Sequence, residues 1–294
     1  MKFLTMTEIL SPCLGQDWAV GAYDTCNLET TQAIVDAAAA DQAPVLIMVL
    51  PHHTPRAEWP TLVRMITSEM ERTGIPAGLV LDHAKTLDQI ESALALGFSG
   101  VMIDASLAPL EENIAITRRA VELAHAAGAS VEAELGHVGG GENETRDDLS
   151  ESHFTRVDEA ERFVRETGVD ALAVSIGTVH GLYRGTPKLD FERLAQIRAA
   201  CPIPLVLHGG SDTPDPDLRR AIELGIEKIN VWTDVRIPFL RAMQARLAGP
   251  VEKTEVFEVS AAAREAAYAV IRRKNQLFGS AGKAGLYPSW RQWR

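Results

Sequence analysis

Residues 78–103 read GLVLDHAKTLDQIESALALGFSGVMI. A short aliphatic run, Gly78–Leu81, is followed by an amphipathic helical pattern over Thr86–Leu96. Gly97 stops the helix, and a second aliphatic run, Gly100–Ile103, begins three residues later. Strand, helix and strand in so short a space predict a parallel pair joined by a helical crossover. Working outward, the same unit recurs. Strands are predicted at Ala19–Tyr23, Val45–Val49, Ser130–Ala133, Ala171–Ser175, Pro204–Leu207 and Lys228–Val231, which with the first two makes eight. Helical patterns fall between them at Thr30–Ala40, Thr61–Thr73, Leu110–Ala127, Val157–Thr167, Phe191–Ala200 and Pro216–Leu224. Several begin with Thr, Asp or Pro and end at a glycine, as at Gly74, Gly128, Gly168 and Gly225.

Such alternation means a parallel sheet, either open and doubly wound or closed. An open dinucleotide-binding sheet would carry GxGxxG after its first strand, and AVGAYDTCNLET has none. Eight units at this spacing instead predict an α/β chain folded as a (β/α)8 TIM barrel. The expected layout is one domain over residues 1–294, with the barrel at about 15–240 and a helical C-terminal extension at about 241–294, including Val259–Lys274. Trp290 and Trp293 near the chain end fit a docking surface better than a barrel core. The polar stretch GGGENETRDDLSESHF, from Gly139, is too long for a routine barrel loop and suits a lid or binding segment.

Composition narrows the function classes. With 294 residues, 46% hydrophobic and 23% charged, the chain has ordinary globular make-up. A net charge of −11 argues against nucleic acid as a partner. Cys13, Cys26 and Cys201 are odd in number and widely spaced, which fits a reducing cytoplasm. The opening MKFLTMTEILSPCLGQ is too polar for a secretory leader, and no stretch is apolar enough for a membrane span.

In a barrel of this kind, chemistry sits where strands end at the C-terminal face. Those ends carry Asn27, then Asp82 and His83, Asp104 and Ser106, Glu134, Gly177 to His180, His208 to Ser211, and Asn230 to Thr233. Three histidines, His83, His180 and His208, thus meet on one rim from different strands. Any one alone reads better as a buried loop histidine, but three imidazoles with a vacant fourth position are the inventory of a catalytic zinc site. His52 and His53 follow strand 2 and suit either a pocket wall or a plain loop. His125 falls on a helix, and His137 and His153 belong to the polar stretch, where surface or hinge roles are expected.

Longer strings carry a family likeness: CNLETTQAI, LDHAKTLDQIESALALGFSGVMIDASLAPLEENI, SVEAELGHVGGGEN, SIGTVHGLYRGTPKLDFERLAQIR, PLVLHGGSD and AIELGIEKINVWTD. Over residues 15–240, with a weaker echo in VIRRKNQLFGSAGKA, the chain resembles the class II fructose-bisphosphate and tagatose-bisphosphate aldolases, the shorter tagatose-like branch most closely. The resemblance implies a lyase that cleaves a ketose phosphate with Zn2+ on His83, His180 and His208. Asp104 and Glu134 would offer an alternative metal position. Asn27, Gly181, Gly209, Gly210, Ser211, Asn230, Trp232 and Thr233 would hold a sugar-phosphate substrate, with a monovalent cation, Na+ or K+, nearby. It also implies a homodimer or homotetramer. Asp82, beside His83, is then placed to exchange the C4 hydroxyl proton, and Glu142 to exchange the proton at the donor carbon.

Four positions depart from the family pattern. Asp212 stands where glycine is usual after the serine, Trp232 where a small or acidic residue is usual, Tyr23-Asp24 where Phe-Asn is usual, and Asn143 where an acid is usual. They leave open a different ketose or sugar-acid substrate, a donor half without phosphate, or a sugar-phosphate-binding barrel without catalysis.

Overall fold

Eight strands of this chain have nearly every residue buried on both faces, as in a sheet covered on one side by helices and closed on the other around its own side chains. The computed structural model describes residues 3–139, 153–183 and 187–287. It places β1 at Val20–Asp24, β2 at Val45–Val49, β3 at Ala77–Ala84, β4 at Gly100–Ile103, β5 at Ser130–Leu135, β6 at Ala171–Val174, β7 at Leu205–Leu207 and β8 at Ile226–Val231. All neighbours are parallel, and β8 closes the barrel on β1 with Val20 opposite Lys228 and Tyr23 opposite Val231.

Alternation along each strand sorts side chains between two apolar regions. Val20, Ala22, Leu46, Met48, Val80, Ala171, Ala173 and Val206 point to the axis. Their neighbours Tyr23, Val45, Ile47, Leu79, Leu81, Leu172, Leu205, Ile229 and Val231 point outward into the layer under the helices. Continued toward the C-terminal ends, the axial parity reaches Asp24 on β1, Asp82 on β3, Glu132 and Glu134 on β5, His208 after β7, and Lys228 and Asn230 on β8.

A ring of helices covers the outside: α2 (Leu28–Asp41), α3 (Trp59–Thr73), α4 (Leu87–Ala95), α5 (Leu110–Ala126), α6 (Val157–Thr167), α7 (Phe191–Ala200), α8 (Asp215–Glu223) and α9 (Thr233–Arg246). Gly74 and Gly168 end α3 and α6 in the left-handed conformation, and each donates its N–H to the carbonyl four residues back. A short N-terminal helix, α1 (Met6–Leu10), is absent from the sequence expectation. It floors the barrel, packing Met6, Ile9 and Leu10 under Val80 and Val206. Five residues are too few for a periodic signal. Among the described residues no helix is long and apolar enough to cross a membrane.

The extension folds as α10 (Val256–Leu277), packed on α9 and α2. A buried polar network ties it down. Tyr23 Oη donates to Asn275 Oδ1 at 2.8 Å, Asn275 Nδ2 donates to Asp41 Oδ2 at 3.2 Å, and Arg272 Nε donates to Asp41 Oδ1 at 2.7 Å. The tyrosine in Tyr23-Asp24 therefore faces away from the barrel mouth, and Gly21 leaves room for its ring, since a β-carbon there would lie 2.4 Å from the hydroxyl. Trp290 and Trp293 lie outside the described residues.

Tyr23→Phe orphans the buried Asn275 Oδ1 and is expected to cost about 1–3 kcal/mol in urea unfolding. Catalytic rates should be unchanged, because the hydroxyl lies on the outer face of β1.

Candidate active site

Strict alternation allows only one of Asp82 and His83 to face the barrel mouth. The β3–β4 register resolves this, because Leu81 pairs with Val101 but Ala84 pairs with Ile103, so β3 carries one extra residue. His83 takes up the irregularity with φ 48°, a left-handed conformation that costs a non-glycine residue about 1–3 kcal/mol. Both side chains consequently reach the same cavity.

Each of the three rim histidines has one ring nitrogen occupied by the protein. His83 Nδ1 donates to Asp104 Oδ2 at 2.8 Å, His180 Nδ1 donates to the Val138 carbonyl at 3.1 Å, and His208 Nε2 donates to Glu132 Oε1 at 2.8 Å. These bonds set the tautomers and turn the remaining nitrogens toward one another. The three imidazoles offer ligand atoms within 4.8 Å of each other, and His83 Nε2 lies 2.9 Å from His208 Nδ1. His180 Nε2 is buried with no hydrogen-bond partner. A cation accepting three nitrogen lone pairs satisfies that orphaned atom, so the donor set fits a metal of borderline softness.

A second group, His83, Asp104 and Glu134, also meets ligand spacing. Glu134 Oε1 accepts the Val138 N–H at 3.0 Å, while Oε2 is buried and unpartnered. Burial and the charge of Asp104 push the Glu134 carboxyl up to about 8. Asp104 is more fully engaged: besides His83 it takes Lys85 Nζ at 2.6 Å and the Ser106 hydroxyl at 2.7 Å.

Electrostatics differ sharply among the imidazoles. Burial opposes the charged form of His83, yet Asp82, Asp104 and Glu134 outweigh it and hold the group up to about 10. Burial and the His83 charge push His180 down to about 3 and depress His208 as well.

Beneath the histidines lies an ion pair missing from the sequence expectation. Lys228 Nζ donates to Glu132 Oε2 at 2.7 Å and to Asn230 Oδ1 at 2.8 Å, with both charged side chains fully buried. Asn230 Nδ2 in turn reaches Asp82 Oδ1 at 3.3 Å. Both residues lie in strands that carry other polar side chains, Glu227 and Asn230 on β8 and Ser130 and Glu134 on β5, and adjacency across the barrel is not local in sequence.

The cavity, of about 550 Å3, brings together Asp82, His83, Asp104, His180, Gly181, Gly209, Ser211, Asn230, Trp232 and Thr233. Four expected residues are not in its wall: His208 and Glu134, which are buried, and Asn27 and Gly210. Asn27 caps α2, its side chain accepting from Thr30 N, and Gly210 donates its N–H to the Asn230 carbonyl. His137, expected at a surface or hinge, instead lines the cavity, with Nδ1 3.1 Å from Ser106 Oγ. His52, His53, Lys85, Gln89, Arg236 and Asp24 line it too. Asp212, φ 59°, turns its carboxylate onto Tyr183 N at 2.8 Å and so braces two rim loops. Glu142 and Asn143 lie outside the described residues.

Lys228→Met strands the Glu132 carboxylate in the interior. An expected loss of about 3–5 kcal/mol, read by thermal or urea unfolding, follows from removing one partner of a buried pair.

Known proteins share this architecture. Residues 4–283 match the family described as fructose-bisphosphate aldolase class-II. A fructose-bisphosphate aldolase of Geobacillus stearothermophilus is 41% identical over 289 residues, covering 97% of this chain and 99% of that protein. The crystal structure of the YdjI aldolase from Escherichia coli K12 superimposes with TM-score 0.83 at 31% identity, covering 96% of this chain and 99% of that one. Fructose-bisphosphate aldolase from Campylobacter jejuni, at 20% identity and TM-score 0.80 over 96% of this chain and 97% of that one, shares the fold. With a barrel closed as expected and the family strings set around its mouth, the chain belongs to the class II fructose-bisphosphate aldolase family and is a carbon-carbon lyase.

Proposed function

We propose that this aldolase is zinc-dependent and reversibly cleaves a ketose phosphate into dihydroxyacetone phosphate, or a similar donor, and an aldehyde. The observation that carries the reading is the convergence of three imidazole nitrogens whose opposite ring nitrogens are all engaged by the protein. His83, His180 and His208 would hold the ion, with Glu134 and Asp104 as an alternative position. Bound there, zinc supplies Lewis-acid polarisation of the donor carbonyl, worth several kcal/mol of charge stabilisation.

The chain's own groups handle the protons and the positioning. Asp82 is buried at the cavity wall, its Oδ1 within reach of Asn230 Nδ2 and its Oδ2 4.0 Å from His83 Nε2. It accepts the C4 hydroxyl proton in cleavage and returns it in condensation. Asn230, fixed by Lys228, orients that carboxylate. Gly181, Gly209, Ser211 and Thr233 form the small-residue wall for the donor phosphate. At Gly209, φ 71°, a β-carbon would meet the Val179 carbonyl oxygen at 2.5 Å, so only glycine permits this close turn. Glu142 is the second acid/base in this reading. A barrel that only binds sugar phosphate has no use for a buried carboxylate set against the three-histidine group, which favours catalysis.

Metal analysis should find about one zinc per chain, and chelation should abolish cleavage of ketose phosphates. His208→Ala is expected to lose both metal and activity. Asp82→Asn should keep the metal and lose about 10²–10⁴ in rate. Zinc-free protein with full activity, or activity surviving His208→Ala, overturns the reading.

Zinc uptake should depend on pH in a defined direction. Despite its burial, His83 is held up to about 10 by Asp82, Asp104 and Glu134, so below that pH a proton must leave before the nitrogen can bind metal. His180, pushed down to about 3, has none to release near neutral pH, and His208 is shifted in the same direction. Calorimetry in buffers of different ionisation enthalpy should show about one proton released per ion, with affinity rising about tenfold per pH unit below pH 10.

A further inference from the structure

Asp24 and Trp232 are neighbours on the wall formed by β1 and β8. The register pairs Tyr23 with Val231, so these are the next residues outward on adjacent strands, both of axial parity and both lining the cavity. Asp24 is only 5% exposed and its Oδ1 has no hydrogen-bond partner. The indole Nε1 of Trp232 is likewise buried and unpartnered. One is an acceptor and the other a donor, and each bears a desolvation penalty unless something entering the cavity meets it. Packing holds the indole in place, with the His53 ring centroid 5.4 Å from that of Trp232.

A carbon-bound hydroxyl answers both needs, donating to Asp24 and accepting from Trp232. A phosphate group does not, because it offers only acceptors and brings negative charge. Burial, and after it the charge of Asp82, raise the Asp24 carboxyl well above the ordinary range, so this wall already disfavours negative charge. A phosphate lodged there would bring a further negative charge into the same surroundings. Since Asp82 is the acid that meets C4, the part of the ligand beside Asp24 is the aldehyde half.

We propose that Asp24 and Trp232 form a hydroxyl-recognising subsite that selects a ketose whose aldehyde half is hydroxylated and uncharged, and discriminates against one phosphorylated there. The proposal rests on the ketose-phosphate function above and names the substrate class for the same cavity.

The test uses two ligands that lack a carbonyl and so cannot be cleaved: glucitol 1-phosphate and glucitol 1,6-bisphosphate, titrated calorimetrically into metal-loaded enzyme. Wild type is expected to bind the monophosphate at least about tenfold more tightly. Asp24→Asn, which replaces the ionisable carboxyl by an amide of the same shape, should narrow that gap to about threefold or less. Trp232→Phe should weaken the monophosphate about fivefold or more and leave the bisphosphate unchanged. Equal or tighter binding of the bisphosphate by wild type, or an unchanged ratio in Asp24→Asn, overturns the subsite and leaves the ketose-phosphate reading standing. A wild type that binds neither ligand overturns both.

Discussion

Lys228 carries a positive charge into a barrel mouth crowded with carboxylates, and the arrangement of the site depends on it. Asp24, Asp82, Asp104, Glu132 and Glu134 all lie at or below the rim and are buried. Charges of one sign packed at low exposure repel one another and lose hydration, so they persist only where hydrogen bonds and opposite charges compensate. Lys228 provides that compensation from inside the barrel. It neutralises Glu132, which holds His208, and it fixes Asn230, which reaches Asp82. Lys85 does the same for Asp104 from the solvent side.

Rigidity follows from this chain of contacts. Every ring nitrogen facing away from the three-histidine centre is spent on Asp104, Val138 or Glu132, so the imidazoles present one geometry rather than several. The remaining acidity is useful as well as costly. Carboxylates that are expensive to bury become favourable neighbours for a divalent cation held by the three imidazoles. The same excess of negative charge makes the β1 and β8 side of the mouth a poor place for a second anion.

Much of the fold was legible in the sequence because it rests on local signals. Eight short aliphatic runs separated by helical periods identify a parallel barrel, and the observed strands differ from the expected ones only by extensions or trims at their ends. The rim residues could be listed because strand ends are visible in the chain, which is how His83, His180 and His208 came together on one rim. The departures were visible too, but not their consequences. Tyr23 and Asp24 are adjacent in sequence, yet one anchors α10 outside the barrel and the other faces the cavity. Asp212, which stands where glycine is expected, accepts from Tyr183 N and so braces a neighbouring loop.

The sequence by itself determined the element order, the side-chain parity of each strand and the set of residue types at the mouth, since these depend on spacing along one chain. Tertiary structure decided which of those residues work together. The extra residue in β3 turns His83 inward beside Asp82, Asn27 is spent on capping α2, His137 joins the cavity wall, and Glu132 meets Lys228 across 96 positions of chain. Hydrogen bonds, burial and charge coupling act over a few ångströms in space. Barrel closure alone brings strands far apart in sequence within that range, so the chemistry of the three-histidine centre could be listed from the chain but only assembled by the fold.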